Sequence, residues 1–73
     1  MEDLGVVLLH STSAALRSER VLQRADLEVR LIPVPRQLSS NCGIAVRFDW
    51  SDRERVETVL AEAHIDVAGV HHL

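Results

Sequence analysis

The sequence predicts an α+β sandwich, with a four-stranded antiparallel sheet and two helices on one face. Three observations carry this. Short apolar runs with β-branched residues recur at about residues 4–9, 28–34, 44–48 and 65–70. Stretches with helical spacing, at about 12–25 and 51–63, separate the first run from the second and the third from the fourth. The second and third runs are joined without a helix. The order strand, helix, strand, strand, helix, strand is the split βαβ arrangement of a ferredoxin-like sandwich. Right-handed crossovers put both helices on the same face. The usual order for this topology places the first and third strands in the centre and the second and fourth at the edges.

Leu4-Gly5-Val6-Val7-Leu8-Leu9 is apolar on both sides, as a central strand requires. His10-Ser11-Thr12-Ser13 then supplies hydroxyl groups that accept from the orphan N–H groups of a first helical turn. The helix is predicted from about Thr12 to Ala25, with Ala15, Leu16, Glu19 and Leu22 on its inner face and Arg17, Arg20 and Arg24 on a solvated one. Glu28 to Val34 forms the second strand. Pro33 and Pro35 lack N–H donors and place it at a sheet edge. Ile44, Val46 and Phe48 alternate with Ala45 and Arg47 in the third. Ser51 and Glu54 match a capping box for the second helix, whose apolar stripe is Val56, Val59, Leu60 and Ala63. Ile65 to Val70 is the last strand, and His71 and His72 read as a tail.

Seventy-three residues suit one domain, 1–73, near the lower size limit for an unaided core. Aromatics are 3% of the chain, so Leu, Val, Ile and Ala must build that core. The net charge of −3 argues against a nucleic-acid binder. All 8 basic residues are Arg, which removes lysine Schiff-base chemistry. The apolar runs are too short to span a membrane, and the acidic Met-Glu-Asp start lacks the pattern of a signal peptide. One cysteine forms no internal disulfide, so the expected location is the cytoplasm. No complete constellation for hydrolysis, phosphoryl transfer or hydride transfer is visible.

The connection from Pro33 to Gly43 holds that cysteine, Cys42, both prolines and one of three glycines. The predicted topology brings three segments to one sheet edge: His10-Ser11-Thr12 with the helix start, Pro35 to Gly43, and His64-Ile65-Asp66. The C-terminal histidines fall at the opposite end. A thiolate is the reactive form of cysteine, and a helix N-terminus and a cation both stabilise it. The N–H groups after Ser11 and the guanidinium of Arg36 are expected to do so. Gly43 leaves room for a backbone or a second sulfur. Ser39, Ser40 and Asn41 add small polar donors. These parts suit a thiolate or a persulfide on Cys42. The alternative is a packed cysteine acting as a small hydrophobe.

Ser11-Thr12, Ala15-Leu16, Glu19 and Leu22, then Pro35-Arg36, Ser39 or Ser40, and Cys42-Gly43 carry a resemblance. The chain resembles the small bacterial family of selenium/sulfur (Se/S) carrier-like proteins over nearly its whole length. The most specific part is Pro-Arg followed by Ser and then Cys-Gly. The resemblance implies a cysteine that carries sulfur or selenium, a role that falls on Cys42. It also implies a donor, such as a cysteine desulfurase, and an acceptor protein as partners.

Around Cys42, the expected binding residues are Arg36, Gly43, Ser40, Ser11 and Thr12. Pro35, Glu19 and His10 are expected to support them. Glu19 is expected either to pair with Arg36 or to lie at the margin of its stripe. His10 either assists proton transfer or is structural. His64 is expected at a helix C-terminus. The histidines lack zinc-finger spacing, so neither a metal nor a cofactor is expected. Two helices cover only one face of such a sheet, so the open face is expected to bind a second copy or a larger partner. A non-catalytic interaction or regulatory module with a structural Cys42 is the competing function. A small-ligand sensor is a further one, by analogy of fold.

Overall fold

The computed structural model describes residues 3–38 and 42–73. Its elements are β1 (Leu4–Leu9), α1 (Thr12–Arg24), β2 (Val29–Pro33), β3 (Ile44–Asp49), a 3₁₀ turn (Trp50–Asp52), α2 (Arg53–Glu62) and β4 (Val67–His72). The sheet order is β2-β3-β1-β4, and every pair is antiparallel. This is the expected ferredoxin-like arrangement, with β1 and β3 central.

Side chains alternate across each strand, so one set of residues meets the helices and the other lines the open face. Val7, Leu9, Val46 and Phe48 form the main core with Ala15 and Leu22 of α1 and Val56 and Leu60 of α2. Leu16 was expected on the inner face of α1 but is 44% exposed. The buried stripe is Ala15, Ser18 and Leu22 instead. Ser18 is tolerated there because its Oγ donates to the Ala14 carbonyl at 2.7 Å, so no polar atom is left unsatisfied.

Both helices end in the same motif. Leu27 N–H donates to Leu22 O and Asp26 N–H to Gln23 O. Likewise Ile65 N–H donates to Leu60 O and His64 N–H to Ala61 O. These are Schellman pairs, and the residue at the bend adopts positive φ: Asp26 at 63° and His64 at 58°. Because Ile65 turns its N–H back into α2, β4 starts at Val67 rather than at Ile65. At its other end the strand runs on through His71 and His72, which pair with Val6 and Gly5 of β1 and are not a tail.

The helices also cap one another. Arg17 Nη2 donates to Ala63 O at 2.9 Å, and Arg55 Nη2 donates to Ala25 O at 2.7 Å. Ala63 and Ala25 are the C-caps of α2 and α1, so each guanidinium meets the negative end of the other helix. Arg17 is thus not simply part of a solvated stripe. The expected capping box is absent: α2 has Asp52 as N-cap with no side-chain cap bond. Ser51 belongs to the 3₁₀ turn, where its N–H and Oγ both bond Asp49 Oδ1, at 3.1 and 2.9 Å. The turn intervenes because Trp50 folds back over the sheet, stacking on His72 at 4.4 Å and on Phe48 at 5.9 Å between ring centroids.

The open face is not left bare. Val6, Leu8 and Ala45 are 0%, 4% and 0% exposed. Ile32, Val34 and Leu38 pack against them, and the His71 ring lies over Gly69 beside Leu8. The chain itself covers the apolar side chains that were expected to need a second copy or a partner. Among the described residues, no helix is long and apolar enough to cross a membrane.

Candidate functional site

The β2–β3 hairpin continues one step past its strands, because Val34 N–H donates to Gly43 O at 3.2 Å. The alternation of β3 therefore carries Cys42 onto the helix side with Ile44, Val46 and Phe48, while Gly43 faces out. Cys42 is 3% exposed and belongs to the main core. Its Sγ lies 3.7 Å from Thr12 Oγ1, where either atom can donate, and 3.4 Å from the Ile44 carbonyl oxygen, to which the thiol donates.

Thr12 is the first residue of α1. Ser11, the N-cap, has extended backbone, and its Oγ accepts from Ala14 N–H at 3.1 Å. Its carbonyl accepts from Ala15 N–H at 3.1 Å. The first bond satisfies one of the orphan donors of the first turn and the second opens the helix ladder, which fixes the start of α1 with the Thr12 hydroxyl beside the sulfur. The positive end of α1 and one hydroxyl thus meet Cys42 across 30 residues of sequence. His10 and Asp66 close the same sheet edge, with Nε2 and Oδ2 3.6 Å apart and both side chains largely exposed. Such an exposed pair contributes little to stability.

The other expected residues stand differently. Arg36 is exposed and, among the described residues, forms no ion pair with Glu19 or with any other acid. Glu19 lies two turns along α1 from Thr12, about 10 Å up the helix axis, too far along to prop the hairpin connection at its start. It is half-buried at the stripe margin. The Pro35 carbonyl accepts from Leu38 N–H at 3.0 Å and closes a turn. A side chain at Gly43 would meet nothing within 4 Å, so the space there is open but no backbone strain calls for glycine. Ser39, Ser40 and Asn41 lie outside the described residues. His64 is the positive-φ residue closing α2. Among the described residues, no three His, Cys, Asp or Glu side chains gather as a metal set. The Ile44 carbonyl was not anticipated, because a backbone acceptor leaves no mark in the sequence.

A family model described as "Putative Se/S carrier protein-like" matches residues 4–72. The chain belongs to this family. The match takes in every strand of the sheet and both helices of this chain. No curated protein and no solved structure matches the chain.

Proposed function

We propose that this member of the Se/S carrier family holds a sulfane sulfur or selenium on Cys42 and hands it from a donor protein to an acceptor protein. The observation that carries the reading is the seat of Cys42 Sγ against the first turn of α1, 3.7 Å from Thr12 Oγ1. Added negative charge on a terminal sulfur or selenium is favoured at that end of a helix. In the loading step, the Cys42 thiolate attacks the outer sulfur of a donor persulfide. A new S–S bond forms, the donor's own S–S bond breaks, and the donor leaves as a thiolate. Delivery repeats the exchange on an acceptor nucleophile. No outside oxidant or reductant is needed. Arg36 and Ser40 are proposed to meet the charged group, and Gly43 to leave space for it. His10 and Pro35 shape the edge.

Incubation with a cysteine desulfurase and cysteine, followed by intact-mass analysis, tests the proposal. One added sulfur is expected on the wild-type chain and none on Cys42→Ser. No added mass, or the same mass on Cys42→Ser, ends it. Thr12→Val, which keeps the shape and removes the hydroxyl, is expected to slow loading about fivefold, the loss of one hydrogen bond of about 1 kcal/mol.

The 3% exposure of Cys42 favours a second reading, a protein-interaction module in which the thiol is a core residue. Reaction of Cys42 with iodoacetamide separates the two. A rate near that of an exposed thiol supports the carrier. Labelling only on global unfolding supports the module.

A further inference from the structure

The register of β2 and β3 sets Arg30 directly opposite Arg47. Both belong to the set of residues that lines the open face, since Val29, Leu31, Val46 and Phe48 on either side join the helix-facing core. Like charges directly opposed across a ladder destabilise it. Among the described residues, neither guanidinium has an ion pair or a side-chain hydrogen bond to offset this. The two line a groove of about 250 Å³ together with Leu4, Glu28 and Asp49, each acid standing two residues along the chain from one of the arginines. Asp49 is turned to the 3₁₀ turn, where its Oδ1 takes both bonds from Ser51. Glu28 is the second carboxylate of the lining.

We infer that Arg30 and Arg47 form a binding site for a phosphate-type dianion. Two guanidinium forks offer parallel N–H pairs that match such oxygens. The apolar side chains of this face are already buried, so the face offers no exposed hydrophobic patch around which a protein interface would form. The site is separate from Cys42. It lies on the opposite face of the sheet and five residues along the strand, about 16 Å.

Titration with inorganic phosphate at constant ionic strength, balanced with chloride and followed by amide and guanidinium NMR shifts, tests this. Saturable shifts centred on Arg30, Arg47 and Leu4 are expected by about 10 mM, the range of a weak specific site. Arg30→Gln and Arg47→Gln are each expected to weaken binding about tenfold while leaving the unliganded fold at least as stable, since each relieves the like-charge pair. Arg47→Lys, which keeps the charge and loses the fork, is expected to fall between them and wild type. Glu28→Gln is expected to tighten binding. Linear, non-saturating shifts overturn the site, as does phosphate binding unchanged in both glutamine variants. Saturable binding of an oligoglutamate peptide without binding of phosphate also overturns it, in favour of an acidic protein partner.

Discussion

Gly5 sits in β1 with Phe48 opposite it on β3 and His72 opposite it on β4. A Cβ there would lie 2.5 Å from Trp50 Cε3 and 2.7 Å from Phe48 Cζ, so the absent side chain makes space for the ring stack. Gly5→Ala is expected to lower stability by about 1–3 kcal/mol in urea denaturation, the usual effect of overpacking a tight site. Gly43→Ala meets only open space and is expected to leave stability unchanged. The two glycines look alike in the sequence. Only the packing of Trp50 distinguishes them. Cys42 shows the same limit at the site. Its period-two spacing from Ile44, Val46 and Phe48 foretells the face it takes, but not the depth, which depends on α1 closing over it.

The two helices are tied to each other at their ends. Arg17 on α1 caps α2, and Arg55 on α2 caps α1. Each substitution to Ala is expected to cost about 1 kcal/mol in thermal or urea unfolding. The pair should be close to additive, because the two caps lie at separate helix ends. Strong coupling would point to one helix unit instead. The Schellman bends offer the opposite lever. His64 holds a left-handed conformation that a glycine adopts without penalty, so His64→Gly is expected to stabilise by about 1 kcal/mol. Asp26→Gly is expected to gain less, because the short polar side chain of Asp can hydrogen-bond locally in that region. The helix positions were legible in the spacing of their apolar residues. The reciprocal caps were not, because Arg17 and Ala63 are far apart in sequence.

At the scale of the whole molecule, the second apolar cluster decides whether the sheet stands alone. Leu38 reaches from the turn after β2 onto Val6, Leu8 and Ala45. Leu38→Ser is expected to lower stability by about 1–2 kcal/mol, part of the value of burying a leucine. It is also expected to raise the dimer fraction in light scattering, as the uncovered face seeks a new cover. A stable, monomeric Leu38→Ser variant would show that the turn is not the cover.

Read by itself, the sequence determined the element order, the central place of β1 and β3, the edge place of β2 and the meeting of the first helix start with the cysteine connection. These follow from backbone geometry: periods of 2 and 3.6, hydroxyl caps, and prolines without donors. The tertiary structure alone decided that Cys42 is buried against Thr12, that Leu16 faces out while Ser18 faces in, that Glu19 and Arg36 stay apart, and that Arg30 stands across from Arg47. Those outcomes depend on strand register and on the angle at which a helix meets the sheet. Both are settled by the packing of residues tens of positions apart, which no local pattern encodes.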